Sequence, residues 1–290
     1  MKNVVILGCE NSHADTFLRF IAEGGYPDIC ITGVYSEDTS AAQKLHRNFG
    51  VPVMERFDEA VGKVDGIIVT ARYGDLHYKY AAPYIAQGAA MFIDKPITIR
   101  ETEAVEFMRQ LQDAGVRITG GSCCKYIDYI QQLKQEHQNS TNGKTLGGFM
   151  RAPVSVNNPY GGFFFYSQHL AEMVMEVYGN YPKSVMAFQT ANQITVVFRY
   201  EGFDVTGLFV TENYYYYAAR YTSGGCDGRR LDDSHINPCF RTEFNEFYRI
   251  LQGGGQRLSY ADFIAPVFVL NAIHRSLQSH REEAVMGYTL

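Results

Sequence analysis

A lysine at the end of a short apolar run is the first candidate for chemistry in this chain. Residues 91–93, Met-Phe-Ile, lead directly into Asp94, Lys95 and Pro96. Such a run predicts a buried strand, and in open α/β sheets the functional groups lie where the strands end. Pro96 fixes its own φ and favours extended backbone at Lys95. We expect the Lys95 ammonium group at a sheet edge facing a crevice, although an ordinary strand–loop junction fits this stretch alone equally well.

The N-terminal segment has the pattern of a loop that binds the phosphates of a dinucleotide. An apolar run at residues 4–7 is followed by a polar turn and a helix predicted over residues 15–23. A dinucleotide-binding unit places G-x-G-x-x-G here, with the pyrophosphate at the helix N-terminus. Gly8 matches the first glycine, whereas Glu10 and His13 replace the second and third. The candidate cofactor-binding residues of this loop are Gly8, Glu10, Asn11, Ser12 and His13.

The acid in this loop leaves two interpretations open. A carboxylate close to a pyrophosphate weakens binding unless it points elsewhere or is neutralised. Glu10 therefore predicts either a different loop path or weak or lost cofactor binding.

The second predicted strand, residues 29–35, ends at Ser36, which is a further candidate cofactor-binding residue. An acid at this tip selects NAD through the ribose hydroxyl groups, and a small polar residue leaves room for the 2′-phosphate of NADP. Glu37 and Asp38 follow Ser36, with no arginine beside them. The choice between NAD and NADP stays open.

Strands and helices alternate through the first 122 residues. Further strands are predicted at 64–70 and 116–121, and the helices at 40–49, 77–87 and 102–114, with a short helix beginning at 57–61. This alternation predicts a doubly wound parallel sheet. The end of strand 64–70 adds Thr70 and Ala71 to the candidate cofactor-binding residues.

The pattern changes after residue 122. A helix is predicted at 127–137, a strand near 148–154 and an apolar helix that ends at Gly179. Extended runs at 184–190, 193–200, 203–211 and 214–221 predict an antiparallel meander, and helices at 238–252 and 260–278 follow. The predicted fold class is α/β: an N-terminal Rossmann domain, residues 1–122, and a C-terminal α+β domain on a largely antiparallel open sheet, residues 123–290.

Composition excludes several classes of partner. The chain has 290 residues, is 46% hydrophobic and carries a formal net charge of -5, which argues against nucleic acid or a membrane surface as the main partner. Its 6 cysteines form no CxxC pair and no zinc-type spacing, so neither a metal site nor a disulfide framework is predicted. The N-terminal apolar segment is too short for a signal peptide, and we expect a cytoplasmic protein.

These features together resemble the Gfo/Idh/MocA family of NAD(P)-dependent oxidoreductases over nearly the whole length. Asp94-Lys95-Pro96 is similar to the family's Glu-Lys-Pro motif, and His77 after strand 64–70 resembles its histidine at the start of the next helix. Residues 260–277 resemble its closing helix. The resemblance implies an NAD or NADP cofactor and adds His77, Asp94 and Lys95 to the residues that contact it.

The resemblance also implies the catalytic residues. His169 matches the histidine of the family's Asp-x-x-x-His motif, and Lys95 and His169 are the implied pair, with Tyr166 as a possible proton donor. A histidine suits proton removal from a hydroxyl group, and a desolvated lysine suits stabilisation of the alkoxide-like oxygen. Phe165 stands at the family's aspartate position, and Glu172, one helical turn beyond His169, is predicted to orient the imidazole.

The substrate implied is a sugar, a cyclitol or a related hydroxy compound. Candidate binding side chains are Arg151, Asn157, Tyr160 and Tyr166. Glu10 and Phe165 favour an alternative, a binding or regulatory protein on the same scaffold, and chemistry without net redox stays open. A homodimer or homotetramer is expected through the C-terminal sheet, whose exposed face would include Phe198, Tyr200, Phe209 and residues 214–217.

Overall fold

The computed structural model describes residues 1–287, which form two compact units. The first unit contains residues 1–121 and 240–263, and the second contains residues 122–239 and 264–287. The division into a dinucleotide-binding domain, 1–122, and a substrate-binding and oligomerisation domain, 123–290, remains a prediction. It did not include the return of residues 240–263 to the first unit.

The first unit is built on a five-stranded parallel sheet with the order β2-β1-β3-β4-β5. Its strands are β1 (Lys2–Leu7), β2 (Ile29–Tyr35), β3 (Gly66–Val69), β4 (Ala90–Asp94) and β5 (Ile118–Gly121). Its helices are α1 (Ser12–Ala22), α2 (Thr39–Phe49), α3 (Asp75–Ala81), a 3₁₀ turn (Ala82–Tyr84) and α4 (Glu101–Asp113). A single parallel bridge joins Val53 to Val34 beyond β2. The predicted Rossmann architecture is confirmed.

Aromatic side chains explain why the chain returns to this unit. Phe17 of α1 packs 5.0 Å from Phe92 of β4 and 5.1 Å from Phe244, measured between ring centroids. Phe244 and Phe247 are fully buried in the same core cluster as the β1 side chains. The apolar face of residues 240–251 thus covers one side of the sheet, which removes large apolar surface from water.

The short helix predicted to begin at 57–61 is wrong. The backbone bonds there join Glu59 N to Arg56 O, Val61 N to Asp58 O and Lys63 N to Ala60 O, each three residues apart. These are successive turns, because the four-residue spacing of an α-helix is not established before Gly62, whose φ is 78°.

The second unit is built on a seven-stranded sheet with the order β11-β10-β6-β9-β8-β7-β12. Its strands are β6 (Thr145–Pro153), β7 (Ser184–Gln189), β8 (Gln193–Arg199), β9 (Asp204–Val210), β10 (Tyr216–Thr222), β11 (Gly225–Leu231) and β12 (Glu283–Ala284). The helices after β5 are a 3₁₀ turn (Cys123–Tyr126), α5 (Asp128–Gln138), α6 (Phe164–Tyr178), α7 (Asp233–Leu251) and α8 (Tyr260–Ser279). β6 and β9 pair in parallel and the other neighbours are antiparallel, so the largely antiparallel open sheet is confirmed.

Alternation along the strands separates an inner from an outer face of this sheet. Phe198 and Phe209 are fully buried and Tyr216 is 1% exposed, so they lie on the inner face. Their prediction as exposed subunit-facing residues is wrong, because period-2 alternation shows two faces without showing which one the helices cover. Gly207 of β9 marks that cover: a Cβ there would lie 2.8 Å from Leu170 of α6.

Two boundaries differ from the predictions for reasons of composition. β11 was not predicted because its sequence, GCDGRRL, is polar, and all but its last residue are exposed at the sheet edge. Helix α7 begins at Asp233, ahead of the predicted residue 238, and contains Pro238 in its interior. Within residues 1–287, the helices are all too short or too polar to cross a membrane.

Candidate functional site

Asp94, the last residue of β4, is the centre of the first unit's candidate site. Its side chain is fully buried. Oδ2 accepts hydrogen bonds from Asn11 Nδ2 at 3.2 Å and from His13 Nδ1 at 2.6 Å, and Oδ1 accepts from Lys95 N at 2.7 Å. One carboxylate therefore ties the loop after β1 to the strand end that carries Lys95.

The charge state of Asp94 follows from these contacts. Burial acts to raise the pKa of the Asp94 carboxyl, but the charge and hydrogen bond of His13, together with Lys95, more than offset it and lower the pKa. Asp94 is thus a carboxylate at neutral pH and only accepts, so Nδ1 of His13 is the donor. The ring of Phe240 packs edge-on against His13, with 4.8 Å between centroids.

The turn at Gly8 is held from behind by the end of β3. Gly8 has a φ of 72°, and a Cβ at this position would lie 2.4 Å from Ala71 Cβ, so only glycine fits. Thr70 Oγ1 donates to Gly8 O at 3.0 Å, and His77 Nε2 contacts Ala71 O at 2.7 Å. Burial lowers the pKa of His77, which keeps it neutral. These side chains support the loop, and their direct contact with a cofactor remains a prediction.

Glu10 takes the place of the second glycine and extends to the tips of two strands. Its Oε2 accepts a hydrogen bond from Ser36 Oγ at 2.7 Å, and its Oε1 accepts one from Arg72 N at 3.0 Å. Each oxygen therefore accepts one hydrogen bond, at the carboxyl ends of β2 and β3. The two interpretations left open by the sequence, a different loop path or weak or lost cofactor binding, remain predictions.

The residues present fit a dinucleotide. Asn11 caps α1 by accepting from His13 N at 3.1 Å, and a cavity of about 370 Å³ opens beside this helix start, lined by Glu10, Asn11, Ser12, Lys44 and Arg72 among others. A helix N-terminus attracts phosphate through its unpaired N–H groups and its dipole. The tight Gly8 turn and the polar group at the β2 tip also suit such a cofactor.

Lys95 directly follows Asp94 and is 4% exposed. The Lys95–Pro96 peptide bond is cis. The side chain is therefore shielded from bulk water. This burial is what the proposed role of Lys95 requires. Lys95 belongs to the first unit, and His169 and Tyr166 belong to the second.

His169 of α6 is the centre of the second unit's candidate site. Its Nδ1 lies 2.6 Å from Ser122 Oγ and 3.5 Å from Cys124 Sγ. Ser122 Oγ also accepts a hydrogen bond from Cys124 N at 3.1 Å. The hydrogen bonds of the imidazole thus run through Nδ1, which directs Nε2 to the role of proton acceptor or donor for a ligand.

Glu172 does not orient His169 as predicted. Its Oε1 accepts from Ser122 N at 2.9 Å and from Gln168 Nε2, while its Oε2 accepts from Lys125 Nζ at 2.6 Å. The i,i+3 spacing places Glu172 near His169, but the segment after β5 supplies better donors. Glu172 therefore acts on His169 indirectly: it fixes the backbone of Ser122, and the Ser122 hydroxyl contacts the imidazole.

Cys124 also belongs to this cluster. Burial acts to raise the pKa of the Cys124 thiol, but its contact with Cys123 and the charge and hydrogen bond of His169 outweigh burial and lower the pKa well below its usual value. Cys124 is fully buried.

Tyr166 lies one turn before His169, with 5.2 Å between ring centroids. Its hydroxyl lies 3.2 Å from that of Tyr214, and burial, followed by the charge of Tyr214, raises the pKa of Tyr166. Tyr166 therefore keeps its proton at neutral pH and is suited to donate a hydrogen bond. With Asn158, Glu212 and Tyr214 it lines a cavity of about 360 Å³.

Arg151 is not available to a substrate as predicted. It is 5% exposed, and its guanidinium donates to the backbone oxygens of Glu212 at 2.9 Å, Asn213 at 2.8 Å and Tyr215. These three carbonyl oxygens accept hydrogen bonds from the terminal nitrogens of the planar guanidinium group. Arg151 thus fixes the turn that carries Tyr214.

Ser122, Cys124 and Lys125 were missed by the sequence analysis as members of the site. The available signal was their position, since Ser122 directly follows β5, and polar residues at the carboxyl end of a parallel strand often carry function. Their contact with Glu172 and His169 spans 45 to 50 residues and has no local pattern. Among residues 1–287, no group of three or more His, Cys, Asp or Glu side chains could hold a metal ion.

Comparison with known proteins agrees with this architecture. Residues 2–122 match the model of the Gfo/Idh/MocA family, described as an oxidoreductase family with an NAD-binding Rossmann fold. Among curated proteins, none has a sequence that matches the chain.

Solved structures resemble the chain over almost its entire length. A putative myo-inositol dehydrogenase from Sinorhizobium meliloti 1021 has a TM-score of 0.84 at 16% identity, covering 99% of this chain and 100% of that one. A myo-inositol dehydrogenase from Corynebacterium glutamicum ATCC 13032 has a TM-score of 0.82 at 15% identity, covering 99% and 100%. GenD2 from gentamicin A biosynthesis, in complex with NAD, has a TM-score of 0.84 at 14% identity, covering 98% and 96%.

At these identities the structural likeness shows the fold. The match to the family model adds that residues 2–122 resemble the NAD-binding part of oxidoreductases. Residues 2–122 therefore match the NAD-binding Rossmann fold of the Gfo/Idh/MocA oxidoreductase family, and for this part of the chain the resemblance inferred from the sequence is confirmed.

Proposed function

We propose that the protein is an NAD(P)-dependent oxidoreductase that transfers a hydride between a nicotinamide cofactor and a sugar, a cyclitol or a related hydroxy compound. One observation carries the proposal: the buried Asp94 carboxylate bonds both to the phosphate-type loop, through Asn11 and His13, and to the backbone of Lys95. A cofactor held by that loop is thereby linked to the strand end that presents a buried lysine.

In this mechanism Lys95 and His169 act on the substrate hydroxyl group. The ammonium group of Lys95 stabilises the oxygen while it has alkoxide character, and Nε2 of His169 takes the proton. Ser122 fixes the imidazole through Nδ1, and Tyr166 donates a hydrogen bond to the substrate. The cofactor, when bound, supplies the hydride acceptor.

The cofactor is proposed to lie on Gly8, Glu10, Asn11, Ser12 and His13, with Ser36 at the ribose end and Thr70, Ala71, His77 and Asp94 supporting the loop. GenD2, a structural neighbour, is in complex with NAD. The sequence and the shared fold are compatible with either NAD or NADP.

The substrate class is proposed from the second unit's cavity and from the neighbours. Hydroxyl, amide and carboxylate groups of Tyr166, Tyr214, Asn158 and Glu212 line this cavity. Such a lining suits a ligand with several hydroxyl groups and a ring face that packs on tyrosines. Two neighbours are described as myo-inositol dehydrogenases, one of them as putative. Inositols are therefore the first substrates to assay.

The Lys95→Met substitution tests the mechanism. We expect at least about a 100-fold loss of kcat, because a positioned charge at the reacting oxygen contributes that much to such reactions. The matched control is Lys63→Met, an exposed lysine in the same unit. Equal turnover of wild type and Lys95→Met would remove Lys95 from the mechanism.

Titration with NADH and NADPH, followed by nicotinamide fluorescence, tests the class of protein. An oxidoreductase binds at least one dinucleotide at micromolar to submillimolar concentration, within the usual order of magnitude for such enzymes. If neither binds at millimolar concentration, the alternative of a binding or regulatory protein replaces this proposal.

We also propose that the protein forms a homodimer or homotetramer through the outer face of the second unit's sheet. Apolar side chains on that face, alternating with the buried ones, are partly or largely exposed: Met186, Phe188, Val197, Leu208 and Val210. Phe188 is 53% exposed. Apolar sheet of this kind is usually covered by another subunit. Light scattering at micromolar concentration that reports a monomer would contradict this.

A further inference from the structure

We propose that Glu10 selects the dinucleotide: its carboxylate, delivered from the phosphate-type loop to the tip of β2, binds the ribose hydroxyl groups and favours NAD over NADP. This inference rests on the proposed function. It assigns to a loop residue the role that an acid at the end of the second strand performs in most NAD-binding folds.

The Glu10 side chain reaches the tip of β2. β2 ends at Tyr35, and the tip residue Ser36 is 4% exposed. Its Oγ donates to Glu10 Oε2 at 2.7 Å and accepts from Asp38 N at 3.1 Å. The chain therefore places a carboxylate at the β2 tip although the residue there is a serine.

The carboxylate has acceptor capacity left for a ribose. Oε2 accepts from Ser36 Oγ and Oε1 from Arg72 N. An ionised carboxylate offers about four lone-pair sites. The two anchoring bonds fix its orientation and leave sites for the 2′- and 3′-hydroxyl groups, which donate.

The charges around the β2 tip oppose a 2′-phosphate. That group would bring about two negative charges next to Glu10 and Asp38. The pKa of Asp38 is lowered, first by its hydrogen bond from Ser40 and more weakly by the positive charge of Arg72, so Asp38 is ionised and Arg72 partly balances it. The nearby lysines are also paired, Lys44 with Asp15 at 3.0 Å and Lys79 with Glu37 at 3.1 Å.

The location of the cavity agrees with this role. Glu10 and Arg72 line the same cavity as Asn11 and Ser12, at the start of α1. A dinucleotide whose pyrophosphate lies at that helix N-terminus has its adenosine ribose near the tip of the second strand. Glu10 is thus placed beside the ribose, and the helix start remains for the phosphates.

Fluorescence titration of NADH and NADPH against wild type and Glu10→Gln tests the proposal. We expect wild type to bind NADH more tightly, and Glu10→Gln to reduce the ratio of the NADPH to NADH dissociation constants by about tenfold or more, the effect of losing one charge-assisted contact and one repulsion. Glu106→Gln is the matched control, because it removes the same charge from a partly exposed side chain of α4 that is paired with Arg109, and its ratio should equal that of wild type.

Each outcome decides between this inference and the proposed function. An unchanged ratio in Glu10→Gln overturns the role of Glu10 while leaving an oxidoreductase. Binding that appears only in Glu10→Gly, and not in wild type, shows that the carboxylate blocks the site, which overturns both the inference and the proposed function of the wild-type chain. If neither wild type nor any variant binds either dinucleotide, the proposed function fails.

A second variant covers the case in which Glu10→Gln does not fold. Ser36→Ala removes the hydroxyl group that holds Oε2, and we expect a several-fold smaller ratio because the carboxylate is less well oriented. A ratio equal to that of wild type in a folded Ser36→Ala protein contradicts the proposed geometry.

Discussion

Asp94 in the first unit and Glu172 in the second are both buried carboxylates at the centre of a hydrogen-bond network, and they are compensated differently. Asp94 accepts from the imidazole of His13, the amide of Asn11 and a backbone N–H. Glu172 accepts from the ammonium group of Lys125, the amide of Gln168 and the backbone of Ser122. The first network includes the candidate cofactor loop itself, whereas the second reaches His169 through Ser122.

Because of this difference, we expect substitutions in the two networks to affect different properties, folding stability in one and ligand affinity in the other. Removing a buried lysine leaves Glu172 as an unpaired buried charge, which is expensive for folding. Neutralising Asp94 weakens its bonds to Asn11 and His13 and so releases the loop after β1. We therefore expect a loss of ligand affinity as well as of stability. The first unit thus uses its carboxylate to position a binding loop, and the second uses it chiefly to hold a buried segment in place.

The largest expected effect is that of Lys125→Met on stability. The side chains of Lys125 and Glu172 are 4% and 7% exposed, and Nζ of Lys125 lies 2.6 Å from Oε2 of Glu172. Breaking such a pair costs about 3–5 kcal/mol of unfolding free energy, measured by urea denaturation. The matched control is Lys134→Met, since Lys134 pairs with Glu176 but is 29% exposed. If both variants lose equal stability, burial is not what makes the Lys125–Glu172 pair costly to break.

A smaller effect on stability, with a larger one on binding, is expected for Asp94→Asn. The loss of the charge-assisted bonds to His13 and Lys95 should cost about 1–3 kcal/mol, and NADH affinity should fall about tenfold because the loop is released. Asp113→Asn, at the exposed end of α4, is the control. Full NADH affinity in a folded Asp94→Asn protein would show that the loop does not depend on Asp94.

The pH dependence of this variant has a definite sign. The pKa of Asp94 in the folded protein lies below its unfolded value near 4, so its contribution to stability is complete above about pH 4 and is lost as the pH falls through the folded pKa. Asparagine does not titrate. The difference in unfolding free energy between wild type and Asp94→Asn should therefore narrow in acid, and a constant difference would contradict the lowered pKa.

The smallest effect is expected for Ser122→Ala, which removes the 2.6 Å contact to His169 Nδ1. The imidazole loses about 1 kcal/mol of orientation, so kcat should fall about fivefold with KM little changed. The pH profile of kcat should shift, and Ser122→Thr should restore it. A change in KM alone, with the pH profile of kcat unchanged, would mean that Ser122 has only a structural role.

Local patterns were sufficient for most of the elements and for the positions of the candidate groups. Ile29–Tyr35 was predicted with both ends correct, because a short, largely apolar run bounded by polar residues is typical of a buried strand. Lys95 was placed at a strand end for the same reason, and Gly8 at a tight turn. These properties depend on neighbours in sequence, which the printed chain shows directly.

The partners of those groups were decided by the tertiary structure. The approach of Glu10 to Ser36 and Arg72, the use of Glu172 by Lys125 instead of His169, and the packing of Phe244 on α1 all join residues far apart in sequence. A side chain's type limits which bonds it can make, but competition among distant donors and acceptors decides which ones form. The sequence by itself therefore determined where chemistry could occur, and only the folded chain determined which side chains share each carboxylate.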